Sequence, residues 1–365
     1  TNDPDVIGPS NKIETLFSEF KIKLARYLRR KLLKTTNYES FSFNLLSTGL
    51  LKKINKIDAD IVHLHWIGNE MLSISQIKKI KKPIIWTFWD MWPMCGAEHH
   101  SYDRRFIEGY KTNNRPNDEK GIDLNRMIWL HKTKHLDFDF TIIAASKWFK
   151  AEIQKSSLYN KKNIIHMPPN INLEVWKPAD QKNSKKYFDS NGKKIFLFGS
   201  ATSTNHRKGF DFLISLFKKK KFENCKLVIF GEKPKRLDDL NIEYEYIGKI
   251  NDTNSLCKIY SDSDLMLMPS KIEIFGQIGL ESNSCGTPCI AFKDTGPTDF
   301  IDHKVNGYLS KYLDEEDFAN GINWILDKNE KSNELSLNSI NNVKNNFDDK
   351  IINKKFIEIY KNIIK

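Results

Sequence analysis

The sequence predicts an α/β protein with two doubly wound, Rossmann-like domains. Short apolar runs, typical of buried parallel strands, alternate along the chain with segments of helical periodicity. Several of these runs end in glycine or in polar residues, as strands do where they enter a loop above a parallel sheet. The length of 365 residues is sufficient for two such domains, each with its own hydrophobic core.

Composition and charge restrict the class of protein. Apolar residues make up 39% of the chain and charged residues 28%, as in ordinary globular proteins. No run of about eighteen apolar residues occurs, so no segment is predicted to span a bilayer. The net charge of +12 indicates affinity for an anionic surface or substrate, but no nucleic-acid-binding module is present, and we expect no nucleic-acid partner. Five cysteines without metal-ligand spacing indicate reduced thiols and a cytoplasmic protein.

The first periodic segment, residues 13–34, predicts a basic amphipathic helix. Its apolar residues recur every three or four positions, at Ile13, Leu16, Phe17, Phe20, Leu24, Tyr27, Leu28 and Leu32. Its basic residues are Lys21, Lys23, Arg26, Arg29, Arg30, Lys31 and Lys34. The helix could rest on anionic lipid headgroups, which would make the protein peripheral at the inner face of the cell membrane. It could equally pack on its own domain with its basic face in solvent, and the sequence leaves both readings open.

The remainder of the N-terminal region predicts alternating helices and strands. Helices are predicted over residues 45–56, 73–81, 125–135 and 146–156, and strands over residues 60–66, 83–88 and 140–144. Residues 94–123 have weak periodicity and many His, Arg, Gly and Asn residues, so we expect a long, mobile loop there.

Polar and aromatic side chains stand where two of these predicted strands end. His65 lies at the end of the first strand, and Trp89 and Asp90 follow the second. His99 lies in the expected mobile loop, where it could supply a further polar contact. Because ligands of open α/β sheets bind at the carboxyl ends of strands, we expect these four residues to bind substrate.

A segment with three prolines, residues 164–178, separates the two predicted domains. Beyond it, strands are predicted over residues 194–200, 227–231, 244–248, 265–268 and 289–292, and the last helix over residues 351–364. The first of these strands ends in Gly199 and Ser200 and leads through a polar loop to Arg207 and Lys208. A basic pair at this position can clamp phosphate oxygens, so we expect all four residues to contact substrate.

Residues 273–306 carry the most informative pattern. After the strand at 265–268, the chain passes through Glu273 and enters a helix, so backbone amides at its start form a predicted phosphate seat. These amides belong to Phe275, Gly276, Gln277 and Ile278. Glu281 lies about one turn inside the helix, with seven residues between it and Glu273. Two carboxylates beside a phosphate seat suit a ligand with a polyol and a diphosphate, although two acids on a solvated helix face are the simpler alternative.

Two Asp-X-Asp triplets, residues 58–60 and 262–264, are weak candidates for a metal site. Each triplet precedes a strand, whereas ligands of a parallel sheet bind after the strands. We therefore expect no metal ion, and expect side chains and helix dipoles to neutralise the diphosphate.

The pattern resembles the retaining nucleotide-sugar glycosyltransferases of family four, from about Asp60 to the C-terminus. The matching residues are Glu273, Phe275-Gly276, Glu281, Cys285-Gly286-Thr287-Pro288, Thr295-Gly296-Pro297, Asn306-Gly307 and the Arg207-Lys208-Gly209 element. The resemblance implies the GT-B fold, in which two Rossmann-like domains face a cleft. Residues 1–170 would form the acceptor-side domain, completed by the C-terminal helix 351–365, and residues 171–350 the donor domain. No strand, Gly-rich loop and helix precede Asn11, so the N-terminal domain is expected to be incomplete.

The resemblance also implies the activity and the role of each site residue. A metal-independent enzyme of this type uses no cofactor, and its donor is a nucleotide-diphosphate sugar. Its acceptor is a glycan or a lipid-linked sugar in bacterial surface polysaccharide or lipopolysaccharide synthesis. Glu273, Lys208 and Arg207 would be the catalytic residues, with the Lys on the diphosphate and Glu273 on the sugar hydroxyls. Glu281 would accept hydrogen bonds from the ribose hydroxyls.

Two positions depart from the family pattern. Trp89 stands where many members have His, so Asp90, His65 or His99 would have to replace that contact. Ser200 stands where many members have Arg, a role that Arg207 could take over. A catalytically degenerate GT-B subunit, which binds nucleotide or glycan and scaffolds a partner enzyme, therefore remains the alternative. A nucleotide-sugar epimerase of the same architecture would need a different acid/base set, which the sequence does not show.

Overall fold

The structure is a computed structural model that describes residues 5–37, 39–179, 187–188, 190–200, 206–327 and 331–364. The chain divides into two units, the first made of residues 1–144, 151–165 and 362–365, and the second of residues 145–150 and 166–361. Each unit contains its own parallel sheet, as expected for two doubly wound domains. The polar loop predicted between Ser200 and Arg207 lies outside the described residues.

The first unit is built around a four-stranded sheet in the order β2-β3-β5-β6. Its elements are α1 (Lys12–Leu32), β1 (Leu33–Lys34), α2 (Leu50–Lys56), β2 (Val62–Leu64), α3 (Ile74–Ile77), β3 (Ile84–Phe88), α4 (Arg105–Glu108), β4 (Lys120–Gly121), α5 (Leu124–His135) and β5 (Thr141–Ala144). Two further elements, α6 (Lys147–Lys155) and β6 (Ile164–His166), include residues on both sides of the boundary between the units. The pair β1-β4 forms a separate antiparallel ribbon.

Strand β3 forms the buried interior of the first sheet, since four of its five residues are apolar. All five residues of β3 are buried, as expected for the interior strand of a parallel sheet covered on both sides. Trp86 and Phe88 meet edge to face at 5.1 Å, and Phe88 packs in the same way on Tyr159 at 5.4 Å. Since β2, β3 and β5 run parallel, their carboxyl ends lie at the same edge of the sheet.

The second unit contains a six-stranded sheet in the order β12-β11-β10-β7-β8-β9. Its strands are β7 (Lys194–Ser200), β8 (Cys225–Gly231), β9 (Glu243–Gly248), β10 (Leu265–Met268), β11 (Cys289–Phe292) and β12 (Gly307–Ser310). Its helices are α7 (Phe210–Lys219), α8 (Thr253–Ser261), α9 (Gln277–Ser284), α10 (Glu315–Leu326), α11 (Lys331–Asn346) and α12 (Asp349–Ile364). All five strand pairings are parallel, so β7 and β10, adjacent at the centre, end at the same edge.

An aromatic cluster forms the core between this sheet and its helices. Phe212 of α7 lies edge to face against Phe292 of β11 at 5.1 Å and against Phe318 of α10 at 5.2 Å. All three side chains are buried. This packing fixes α7 and the turn that precedes it, which carries the predicted basic pair.

Most predicted elements are present, but several differ from the structure in their bounds or were not predicted. Helix α2 begins at Leu50 rather than at residue 45, and α3 covers only Ile74–Ile77 of the predicted residues 73–81. Strands β1, β4, β6 and β12 were not predicted. The domain boundary was predicted after residue 170, whereas the two units divide between residues 165 and 166. The whole C-terminal helix was predicted to complete the first domain, but only its residues 362–365 belong to the first unit. Ser146 and Lys147 group with the second unit because they bond to its residues Ile274 and Asp299. The domain assignment itself stays a prediction.

Candidate active site

Two loops of the second unit meet above the ends of β7 and β10. The turn at His206–Lys208 lies beside the segment after β10, where the Lys271 amide donates to the Arg207 carbonyl oxygen at 2.7 Å. Gly209 follows with φ of 74°, and a Cβ there would lie 1.9 Å from the Pro269 carbonyl oxygen. Only glycine fits this close approach, and it brings the basic pair against the loop that carries Glu273.

Glu273, Arg207 and Lys208 form one cluster, which we call the Glu273 cluster. Lys208 Nζ donates to Glu273 Oε2 at 2.7 Å, and Arg207 Nη1 lies 3.8 Å from the same oxygen. Arg207 Nη1 also donates to the Ile272 carbonyl oxygen at 2.8 Å. Glu273 is only 8% exposed, and burial by itself would raise the pKa of its carboxyl group. The charges of Lys208 and Arg207 outweigh this effect and, with a hydrogen bond from Ser270, hold the pKa at about 2.

The predicted phosphate seat is the N-terminus of α9. Gly276 precedes the helix with φ of 96°, a conformation that favours glycine. Phe275 is buried against Phe300, with ring centroids 5.3 Å apart, while Gln277 is exposed and Ile278 half-buried. The Gly296 amide donates to the Glu273 carbonyl oxygen at 2.7 Å. The Ser146 hydroxyl donates to the Ile274 carbonyl oxygen at 2.5 Å. The loop is thus fixed, and it begins the helix directly after the Glu273 cluster.

Glu281 lies one turn inside α9, as predicted, and has a partner that the sequence did not indicate. Tyr260 of α8 donates its hydroxyl to Glu281 Oε2 at 3.1 Å. Burial, with the nearby Cys257, raises the pKa of Glu281 to about 7, although hydrogen bonds from Tyr260 and Gln277 act in the opposite direction. Glu273 and Glu281 therefore differ in charge state near neutral pH: the first is ionised, and the second is about half protonated.

Gly199 and Ser200 lie at the end of β7, on the sheet edge where β10 also ends. The ring of Phe230 occupies the space beside Gly199, and a Cβ there would lie 2.1 Å from this ring. Ser200 is buried and pairs with Gly231 of β8 in the sheet. These two residues thus form the buried end of the strand beneath the loops, and the short side chain of Ser200 cannot extend above the sheet as an Arg side chain would.

In the first unit, the residues predicted at strand ends gather into one group. Trp89 Nε1 donates to His65 Nδ1 at 3.0 Å, and the two rings are nearly parallel. Trp66 Nε1 donates to Asp90 Oδ2 at 2.8 Å. His65, Trp66 and Trp89 are exposed, the last by 38%, so this group presents two fixed indole rings and an imidazole to solvent.

His99 does not lie in a mobile loop, and that prediction was wrong. Its Nδ1 lies 2.5 Å from Asp90 Oδ2, its Nε2 lies 2.7 Å from Ser42 Oγ, and its ring stacks on Trp92. Asp90, His99 and Ser42 are all buried, and residues 91–99 are buried with them. Burial opposes ionisation of Asp90, but the charges of His99 and His100 hold its pKa below the usual range. The segment is therefore part of the core, and His99 and Asp90 position the exposed rings.

Several neighbours of the site were missed in the sequence. Ser270 and Tyr260 hydrogen-bond the two carboxylates, and Trp66 and Ser42 complete the group in the first unit. For Trp66 and Ser270 a signal existed, because both follow directly on the end of a strand. Tyr260 and Ser42 reach their partners only through tertiary packing, and nothing in their local sequence indicates it.

The Asp-X-Asp triplet after α8 has protein partners. Asp264 accepts from Lys194 Nζ at 2.9 Å and from the Ile195 amide at 2.8 Å, and Asp262 accepts from the Tyr187 amide at 2.6 Å. Within the described residues, no group of three or more His, Cys, Asp or Glu side chains is placed to hold a metal ion.

Residues 180–342 match the protein family described as glycosyl transferases group 1. An uncharacterized glycosyltransferase of Methanocaldococcus jannaschii is 29% identical over 203 residues, which are 51% of this chain and 50% of that relative. The chain thus spans about half the length of this curated relative. The matched family region contains the second sheet and the Glu273 cluster.

Solved structures resemble the chain over most of its length. Sucrose-phosphate synthase from Thermosynechococcus elongatus aligns with a TM-score of 0.67 at 16% identity, covering 99% of this chain and 81% of that one. Anabaena HepE in complex with UDP and glucose aligns with a TM-score of 0.65 at 15% identity, covering 86% and 80%. Both are GT-B glycosyltransferases. The chain therefore has the GT-B fold, and over residues 180–342 it matches the glycosyl transferases group 1 family.

Proposed function

We propose that the protein is a retaining, metal-independent glycosyltransferase that transfers a sugar from a nucleotide-diphosphate donor to a glycan or lipid-linked acceptor. The observation that carries this proposal is the Glu273 cluster beside the N-terminus of α9, where two cations and a helix dipole converge at the end of β10. The complex of HepE with UDP, a protein of the same fold, supports a nucleotide ligand. The resemblance to family four supports a role in bacterial surface polysaccharide synthesis in the cytoplasm.

The chemistry required of this site is mainly electrostatic. The bond between the sugar's anomeric carbon and the diphosphate oxygen breaks, and the acceptor oxygen bonds to that carbon on the same face. The proton of the acceptor hydroxyl passes to the departing phosphate oxygen, so the protein needs no separate base. Lys208, Arg207 and the first amides of α9 stabilise the negative charge that develops on the diphosphate. Because these groups supply the counter-charge, the proposal includes neither a metal ion nor another cofactor.

Glu273 has two roles in this proposal. With its pKa at about 2, the carboxylate is ionised at every physiological pH, so it does not act as a general acid. Without ligand it holds Lys208 in place, and with donor bound it accepts hydrogen bonds from sugar hydroxyls. The lysine is thus already positioned before the diphosphate arrives, which reduces the cost of ordering it during reaction.

A panel of UDP-, GDP- and ADP-sugars tests the activity. We expect slow hydrolysis of at least one of them in the absence of acceptor, measured as released nucleoside diphosphate. If a diphosphate raises the melting temperature but no donor of the panel is hydrolysed or transferred, the catalytically degenerate subunit that scaffolds a partner enzyme is the better description. If none binds, the assignment of a donor site is wrong.

The raised pKa of Glu281 predicts how nucleotide affinity depends on pH. At a pH below about 7 the carboxyl group is mainly protonated in the free protein, whereas hydrogen bonds from ribose hydroxyls favour the carboxylate. Affinity for a UDP-sugar, whose diphosphate does not titrate in this range, should therefore rise with pH by up to about tenfold per unit and level off above the pKa. Calorimetry from pH 5.5 to 8.5 measures this profile.

Two variants test the assignment to Glu281. In Glu281→Gln the affinity should be weaker and independent of pH over this range. In Tyr260→Phe the hydrogen bond that lowers the pKa is lost, so the midpoint should move to higher pH. A pH profile that Glu281→Gln leaves unchanged would contradict a contact between Glu281 and the nucleotide.

We further propose that the exposed rings of His65, Trp66 and Trp89 contact the acceptor. The flat face of an indole suits the C–H groups of a sugar ring, and hydrogen bonds hold both indoles in fixed orientations. Trp89→Ala should lower transfer to an added acceptor about tenfold while donor hydrolysis without acceptor stays unchanged. An equal loss of both rates would instead assign Trp89 to the donor.

A further inference from the structure

Helix α1 presents an apolar surface to solvent along most of its length. Five large apolar side chains, which we call the exposed stripe, are exposed by about half or more: Ile13, Leu16, Phe17, Phe20 and Tyr27. Ile13 is 77% exposed, and Phe20, in the middle of the stripe, 55%. Their spacing of three, four and seven residues places them on one side of the helix. A side with this much exposed apolar area indicates a binding surface.

The orientation of α1 is fixed by an inward-facing lysine. Lys21 is buried, and its Nζ donates to the Glu70 carbonyl oxygen at 2.9 Å. Arg29 is half-buried, donates to the Asn37 carbonyl oxygen at 2.9 Å and lies over the ring of Phe41. The basic side predicted to face solvent included these two cations, and this prediction was wrong for both. Their contacts attach the helix to the rest of its unit, and the exposed stripe faces solvent.

The charges that remain exposed on α1 are mainly positive. Lys12, Lys23, Arg26, Arg30 and Lys31 are all exposed. At 3.6 residues per turn, four of them border one side of the exposed stripe and Lys31 lies within it. The two acidic residues of the helix have cationic partners, Glu14 with Lys53 at 2.8 Å and Glu19 with Lys23 at 3.6 Å. An apolar strip bordered by cations is the pattern of a helix that lies in the plane of a membrane surface.

We propose that α1 docks the protein on an anionic lipid surface, with the exposed stripe among the acyl chains and the bordering cations on the headgroups. Charge complementarity favours this occupant over a second copy of the chain. A symmetric dimer would bring two sets of these cations together at one interface, and the helix's acids are already paired. Within the described residues no helix is long and apolar enough to cross a bilayer. The inference does not depend on sugar transfer.

Sedimentation with lipid vesicles tests the proposal on the whole protein. We expect binding to vesicles of phosphatidylglycerol and phosphatidylethanolamine at about 0.1 M salt, where screening leaves headgroup charges effective. Binding to pure phosphatidylcholine vesicles should be at least about tenfold weaker, because each cation near an anionic surface contributes about a fivefold increase in affinity. Raising the salt should weaken the binding to the anionic vesicles.

Matched variants separate the two parts of the surface. Phe17→Ser with Phe20→Ser, and Arg26→Glu with Arg30→Glu, should each lower vesicle binding at least about tenfold while the melting temperature stays unchanged, since these side chains are exposed. Leu337→Ser, at a 59% exposed leucine on α11, should bind as the parent does. No binding of the parent to anionic vesicles would overturn the proposal. Concentration-dependent dimerisation that the Phe variant abolishes, without vesicle binding, would overturn it in favour of a second copy.

Discussion

Lys208→Met is expected to lower the rate of sugar transfer, and of donor hydrolysis, by a factor of about 10² to 10³, the usual cost of removing one charged donor from a developing anion. Lys208 Nζ donates to Glu273 Oε2 at 2.7 Å, and in the proposed site it would contact a diphosphate bound at the N-terminus of α9. Steady-state kinetics with the best donor of the panel measure the loss. Lys218→Ala, on an exposed lysine of α7, should retain the parental rate and serves as the control.

The same variant should also be less stable, and this effect can be separated from the effect on catalysis. Without Lys208, the buried carboxylate of Glu273 keeps the hydrogen bond from Ser270, and Arg207 lies 3.8 Å away. The carboxylate is then poorly compensated, so Lys208→Met should lose about 2 kcal/mol of unfolding free energy. Combining Lys208→Met with Glu273→Gln removes the unpaired charge and should restore most of that stability. If the double variant is stable and remains inactive, the loss of rate does not come from unfolding. A stable and fully active double variant would remove both residues from the active site.

Asp90→Ala is expected to destabilise the first unit by about 3 kcal/mol, because it leaves a buried network without its central acceptor. Asp90 accepts from Trp66 at 2.8 Å and from the Trp92 amide at 3.0 Å, and it pairs with His99 at 2.5 Å. His99 would then be buried between Ser42 and Trp92 with no carboxylate beside it. Thermal unfolding measures the change as a fall of several degrees in melting temperature.

A substitution at an exposed aspartate of the same unit serves as the control for Asp90→Ala. Asp137→Ala removes a carboxylate from an exposed position in the same unit and should change the unfolding free energy by less than about 0.5 kcal/mol. Asp90→Asn retains the shape and part of the hydrogen bonding, so its cost should lie between the two. Equal melting temperatures for Asp90→Ala and Asp137→Ala would show that the Asp90 network contributes little to stability.

The local structure around the proposed donor site could be predicted from the sequence, because it depends on residues that are close together in the chain. A strand, a glycine turn and a helix start follow one another between Leu265 and Ser284, and the structure contains each of them. Gly209 and Gly276 occupy positions that only their backbone freedom permits, which is why the short motif around each is informative. The ion pair between Lys208 and Glu273 was not predicted, because it depends on the two loops following strands that are neighbours in the sheet, and the strand order is known only from the structure.

The parts that could not be predicted depend on tertiary contacts. Residues 94–99 are buried although they show no helical or strand periodicity. Burial is possible because their polar groups have partners in distant segments. Lys132, for example, donates to the carbonyl oxygens of Cys95 and Gly96. The outward orientation of α1 was likewise unpredictable, since periodicity reports which residues share a side but not which side faces the core.

The most direct test of a diphosphate site at the end of β10 is calorimetric titration of the protein and of Lys208→Met with UDP, GDP and ADP. We expect the parent to bind at least one of the three, and Lys208→Met to bind it at least about tenfold more weakly. Equal affinities for parent and variant, or no binding by the parent, would contradict a diphosphate site at this position.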